Sequence, residues 1–225
     1  MEEGWRQYHA RWEGEHWLAR AIEHWEFYTC FHRKLCGHMP PGSSVLDIGS
    51  GKGYSAFYFA SLGYRVTGID TDPLSVEEAN AWAKRLDLPA CFLVADAFSF
   101  RPEEPFRLSY SMGLIEHFSP PEQVQFLAIQ GALSEVVVAL APTSHSDRTL
   151  PPCAVPWIPQ TAGSLRQSFA RANLSLVDTF GVGDVFSIWD CRLKSVLPNR
   201  LFAFLQNHFS YAMSVAVVGR STTTP

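Results

Sequence analysis

At 225 residues the chain is ample for one domain and short for two. Hydrophobic residues make up 47%, and 18 basic against 22 acidic side chains leave a net charge of −4 with no Lys/Arg run. That is the balance of an ordinary globular protein, and it excludes a polyanion such as nucleic acid as a main ligand. No apolar stretch reaches about 18 residues, so no membrane span is expected. Glu2, Glu3 and Arg6 have no hydrophobic segment behind them and do not form a secretory signal. Five scattered cysteines (Cys30, Cys36, Cys91, Cys153, Cys191), none in C-x-x-C, read as reduced thiols in a cytoplasmic protein.

Residues 1 to about 38 form an aromatic-rich helical segment with Trp5, Tyr8, Trp12, Trp17, Trp25, Phe27, Tyr28 and Phe31. Gly14 is the expected break between two helices, and Pro40-Pro41-Gly42 ends the segment. His9, His16, His24 and His32 recur at spacings of seven, eight and eight, which drift around a helix; metal ligands would need i, i+3 or i+4 spacing. No metal site is expected. The segment (1–40) reads as a cap on a domain spanning 41–225, with Trp5, Tyr8 and Trp12 available as part of a lid.

Val45 to Ile48 is a short buried strand, followed by Gly49, Gly51 and Gly53 in G-x-G-x-G and a helix from Tyr54 to Leu62 that Gly63 stops. A strand, a glycine turn and a helix N-terminus place backbone N–H groups against a ligand's negative group. A dinucleotide loop wants G-x-G-x-x-G, but Tyr54 stands where the third glycine belongs. Asp47 just before the loop repels a pyrophosphate and suits an ammonium. S-adenosylmethionine carries an ammonium, a carboxylate and a sulfonium on one tail. The stretch resembles the first motif of the class I S-adenosylmethionine-dependent methyltransferases.

A second strand, Arg65 to Ile69, ends in Asp70, 17 residues beyond Gly53, where a strand-tip carboxylate takes two ribose hydroxyls. Asp72-Pro73 starts a helix that carries Val76, Ala79, Ala83 and Leu86 and stops before Pro89, so Asp72 is only a cap. The third strand, Cys91 to Ala95, ends in Asp96-Ala97-Phe98. The resemblance implies that Asp96 accepts from the adenine amino group, with the Ala97 N–H beside the ring. Leu108 to Met112 is a fourth strand, followed by GLIEHF (113–118) and a capping box, Ser119-Pro120-Pro121-Glu122, that opens a helix with Val124, Leu127, Ile129 and Leu133. Glu116-His117 resembles the "EH" segment of the ubiquinone/menaquinone-type, methyltransferase type 11-like small-molecule enzymes. Phe106-Arg107 departs from the Phe-Asp usual at that strand.

Glu135 to Ala141 is a fifth strand. A Pro/Ser/Thr-rich loop over Pro142 to Pro159 holds His145, Asp147, Arg148, Cys153 and Trp157. A helix over Thr161 to Ala172 with Asn173 at its end leads to a sixth strand, Leu174 to Phe180. An excursion over Gly181 to Phe209 carries Trp189, Phe202 and Phe204, and Tyr211 to Val218 closes as a seventh strand. The resemblance implies an α/β, Rossmann-like doubly wound sheet in the order 3-2-1-4-5-7-6 with the last strand antiparallel. It further implies methyl transfer from S-adenosyl-L-methionine, and the aromatic, mostly uncharged stretches 1–30, 143–158 and 184–209 expected to wall the acceptor site suit an apolar or aromatic small molecule. Asp47, Gly49, Ser50, Gly51, Gly53, Asp70, Thr71, Asp96, Ala97, Met112 and Glu116 would then hold the cofactor, and His117 is the candidate base. Glu116 would face the methionine tail, because adjacent residues point apart. A nicotinamide-dependent oxidoreductase and a non-catalytic binding protein on the same fold are the alternatives.

Overall fold

A computed structural model describes residues 17–146, 155–183 and 212–222, together with 196–198, 200, 201 and 204. Trp5, Tyr8, Trp12, Gly14, Asp147, Arg148, Cys153, Trp189, Phe202 and Tyr211 lie outside the described residues.

The first described element is helix α1 (Trp17–Cys36), whose buried face is Trp17, Ala21, Phe31, His32 and Leu35. Strand β1 (Ser44–Ile48) runs into the glycine turn, and helix α2 (Tyr54–Ser61) starts directly after it. Strand β2 (Arg65–Asp70) includes the acid at its tip. Helix α3 (Pro73–Arg85) starts where Asp72 Oδ2 accepts from the Ser75 N–H at 3.1 Å, the cap that Asp72-Pro73 predicts. Strands β3 (Ala90–Val94) and β4 (Phe106–Met112) follow. Next come a 3₁₀ turn (Ile115–His117) and helix α4 (Pro120–Leu133), where Glu122 Oε2 accepts from the Ser119 N–H at 2.8 Å. Strand β5 (Ser134–Pro142), helix α5 (Ala162–Arg171), strand β6 (Leu174–Val182) and strand β7 (Ser214–Ser221) complete the fold. Asn173 takes φ 57° beyond α5, the left-handed stop its position predicts. Strand β6 runs two residues past Phe180 and pairs with β7 as far as Val182↔Ser214.

The sheet has seven strands in the order β3-β2-β1-β4-β5-β7-β6. The neighbours from β3 to β5 are parallel, while β7 lies antiparallel between β5 and β6. This is the doubly wound arrangement expected, and its strand order reverses between β1 and β4. Outside the carboxyl ends of those two strands a crevice opens, the general ligand position in such sheets.

Both faces are apolar. On one, Val45, Val66, Tyr110, Val138 and Ala216 pack beneath α1, α2 and α3. On the other, Leu46, Ile48, Val137, Ala139 and Val217 pack beneath α4 and α5. Helix α1 is therefore built into the first of these cores.

Candidate active site

The glycine turn needs glycine for two reasons. Gly49, Gly51 and Gly53 take φ of 74°, 50° and 77°, in the left-handed region. At Gly53 a Cβ would also meet the Phe92 ring at 2.7 Å and the Phe57 ring at 2.9 Å, so a side chain is excluded by space as well. The turn is tied down by Gly49 N–H and Ser50 N–H donating to the Ile69 carbonyl at 2.9 and 3.0 Å. Gly51 N–H donates to Asp70 Oδ2 at 2.8 Å. Asp72 N–H donates to the other oxygen, Oδ1, at 2.9 Å, so Asp70 is held from both sides at the tip of β2. Thr71 beside it is exposed, and Ser50 Oγ is buried with no partner among the described residues.

Asp47 points to the α1–α3 face, opposite Leu46 and Ile48, and is 4% exposed. It lies directly across from Tyr110 in the β1–β4 register, and the Tyr110 hydroxyl donates to its Oδ2 at 2.7 Å. Burial pushes its carboxyl up from 3.8 to about 7, against the pull of Tyr110; the nearby charge of Asp70 adds to the rise. Tyr110 could not be found from the sequence, because its partnership depends on strand register.

Asp96 is exposed at the end of β3, with Oδ1 accepting from the Phe98 N–H at 2.8 Å and its second oxygen unengaged among the described residues. Ala97 beside it is half-buried. Met112 ends β4, and its Sδ lies 3.0 Å from Ser55 Oγ. Arg107, the departure in β4, sits at the strand's other end, where it pairs with Glu135 and its N–H donates to Ser44 Oγ at 3.1 Å. It is remote from the crevice.

Glu116 is buried, and burial pushes its carboxyl up to about 8; its Oε2 has no partner among the described residues. The His117 ring does not turn away from it as adjacency suggests: its Nε2 lies 3.9 Å from Glu116 Oε1. Its Nδ1 is 2.8 Å from the Pro156 carbonyl, and burial lowers its pKa against the opposing effect of the Pro156 and Gly113 carbonyls. The Ile158 N–H donates to the Glu116 carbonyl at 2.8 Å, so the loop after β5 is stitched onto the Glu116-His117 turn.

Spacing also misjudges two histidines. His24 and His32, eight apart on α1, converge on one atom, with Nε2 at 2.8 and 2.9 Å from Ser55 Oγ. Eight residues leave about 80° around a helix, which two long side chains can close. Among the described residues no three His, Cys, Asp or Glu side chains group as metal ligands.

Residues 45–135 match the model of a methyltransferase domain family. The chain is 34% identical over 104 residues to the ribosomal protein L11 methyltransferase of Thermus thermophilus, covering 43% of this chain and 41% of that one. It is 34% identical over 76 residues to the ubiquinone biosynthesis O-methyltransferase of Paramagnetospirillum magneticum, covering 34% of this chain and 30% of that one. The chain thus spans less than half the length of these curated relatives. Its fold is similar to that of magnesium protoporphyrin IX methyltransferase from Synechocystis, solved with bound S-adenosylmethionine. The TM-score is 0.66 and the identity 14%, over 97% of this chain and 91% of that one. The matched stretch contains the glycine turn, Asp70 and Asp96, and there the chain is similar to a methyltransferase domain.

Proposed function

We propose that the protein transfers a methyl group from S-adenosylmethionine to a small apolar or aromatic molecule. The observation that carries this is a set of groups along one sheet edge: the glycine turn, Asp70 bonded to Gly51, exposed Asp96 and buried Asp47. In this reading Asp70 takes the ribose, Asp96 and Ala97 take the adenine, and Asp47 and Glu116 face the methionine tail. Gly49, Ser50, Gly51, Gly53, Thr71 and Met112 complete the cofactor's surroundings. Transfer is an in-line displacement at a carbon the sulfonium already activates. The chain's task is to align the nucleophile and exclude water.

We assign His117 to holding the loop rather than to proton transfer, because its ring is engaged by backbone carbonyls. The domain reading is a cap over 1–40 and a methyltransferase domain over 41–225. Free Cys30, Cys36 and Cys91 favour a cytoplasmic setting, and no described helix is long and apolar enough to cross a membrane. Calorimetry with S-adenosylmethionine alongside NADH fluorescence tests the reading. Binding of S-adenosylmethionine supports it; binding of NADH alone refutes it.

A further inference from the structure

Ser55 is the second residue of α2, and His24, His32 and Met112 surround its hydroxyl at 2.8, 2.9 and 3.0 Å. These groups come from α1, from the helix that follows β1 and from the end of β4. They therefore gather beside the two strands that flank the crevice. Cofactor binding as proposed above leaves both histidines and the serine unused.

Counting protons fixes the direction of each bond. His32 is fully buried, and its Nδ1 has no partner among the described residues. A buried N–H without an acceptor is the rarer and costlier defect, a bare acceptor the milder one. His32 therefore carries its proton on Nε2 and donates to Ser55 Oγ. The Ser55 proton then goes either to the His24 imidazole or to the Met112 thioether, and the thioether is the weaker acceptor. It goes to His24 Nε2. A neutral imidazole that accepts at Nε2 carries its own proton at Nδ1.

Both rings are neutral, since burial takes His24 down to about 4 and His32 to about 3, the latter helped by His24. The polar and titratable groups facing His24 are Tyr28 and His32 of α1 and Tyr54 and Ser55 of α2, with no carboxylate or cation among them. The His24 ring is half-buried, and its Nδ1 has no hydrogen bond among the described residues. Tyr28 and Tyr54 lie with ring centroids 4.6 and 5.7 Å from it, an aromatic surround for a flat ligand.

We propose that His24 docks the methyl acceptor, presenting a neutral Nδ1–H donor that selects aromatic molecules bearing an oxygen acceptor such as a phenolate or carbonyl. Ser55 and His32 are positioning residues that hold the tautomer. The inference rests on the methyl-transfer reading, and its test separates the two.

Protein labelled with ¹⁵N-histidine and saturated with S-adenosylhomocysteine should show His24 in the Nδ1–H and His32 in the Nε2–H form at pH 7. Ser55→Ala should release the His24 preference. The probe 4-nitrophenolate should bind this complex at least about tenfold more weakly in His24→Phe, the loss of one hydrogen bond to a charged oxygen. His24→Asn, which retains an N–H near the Nδ1 position, should recover most of that affinity. The sulfur analogue 4-nitrothiophenolate should bind wild type and His24→Phe alike. S-adenosylhomocysteine affinity and melting temperature in each variant confirm that the fold is kept. An Nε2–H tautomer at His24 overturns the proposal, as does 4-nitrophenolate that ignores the substitution or fails to bind wild type. Failure of wild type to bind S-adenosylhomocysteine would instead remove the methyl-transfer reading, and the tautomer result would stand apart from it.

Discussion

Asp47 makes cofactor binding pH-dependent in a range where an ordinary aspartate does not titrate. Its carboxyl is pushed from 3.8 to about 7 by burial, so below neutral pH the free protein holds it protonated. Facing the cofactor's ammonium requires the ionised form, and binding there must release a proton. S-adenosylmethionine affinity should therefore fall as pH drops from 7 to 5.5, approaching about tenfold per unit. An α-amino group stays protonated through that range, so the change belongs to the protein. In Asp47→Asn the slope should flatten to what Glu116, raised to about 8, contributes on the same tail, and affinity at pH 7.5 should be lower by roughly 1.5 to 3 kcal/mol, the worth of a hydrogen bond to a charged group.

The same residue acts on stability with the opposite sense. Its folded pKa lies above its unfolded one, so between them the folded state binds more protons and stability falls as pH rises. A shift from 3.8 to about 7 corresponds to about 4 kcal/mol, fully present below pH 4 and lost by pH 7 to 8. Glu116 is raised to about 8 and gives a parallel trend, so the informative quantity is wild type minus Asp47→Asn. Urea unfolding of the cofactor-free proteins at pH 5 and pH 8 reads it, alongside calorimetry for affinity. A cofactor affinity flat from pH 5.5 to 7.5, or one with the same slope in Asp47→Asn, would refute the reasoning.

Asp70→Ala should weaken S-adenosylmethionine at least about tenfold by calorimetry, since it removes the ribose acceptor and the tether on Gly51 together. Asp72→Ala should instead cost about 1 kcal/mol of stability, a lost helix cap, with affinity nearly unchanged; equal affinity losses would contradict the strand-tip assignment. His117→Gln should lower stability by about 1 kcal/mol through the bond to Pro156 and leave cofactor affinity intact. A hundredfold loss of turnover at full stability would instead make His117 a base. Treatment with EDTA should leave transfer unchanged, and activity lost and then restored by a divalent ion would show a metal requirement.

What could be read from the sequence was whatever depends on neighbours along the chain. The glycine turn, the Asp72-Pro73 cap, the Ser119–Glu122 box and the acid ending β2 are each set within a few residues, and strand order followed from the family they resemble. What could not be read depends on register or on two elements meeting. Asp47 reads as an acid just before a loop, but only the register opposite Tyr110 shows its burial and its changed affinity for protons. His117 looks free in GLIEHF and is engaged by Pro156, 39 residues on. His24 and His32 fail a test of spacing on one helix because the atom they share belongs to another.

That meeting of elements also gives the cap its mechanical meaning. The Trp25 indole N–H donates to the Tyr54 carbonyl at 2.6 Å, and both histidines reach Ser55, the next residue. Trp17 stacks on Trp82 of α3 with centroids 4.3 Å apart and meets Phe57 of α2 edge-on at 5.3 Å. Apart from the stack on Trp82, these contacts land within the first turn of α2, the turn whose N-terminus continues from Gly53. Tyr54 and Ser55 cannot shift without moving the end of the glycine loop, so α1 holds the loop's geometry from outside the sheet. The stretch matched by the methyltransferase domain family, 45–135, contains the loop and its strands but not α1. The loop is shared with that family, while the helix that braces it, and whose His24 we assign to acceptor docking, belongs to the part of the chain beyond the match. An acceptor seated against α1 would therefore press on the same turn that shapes the cofactor's site.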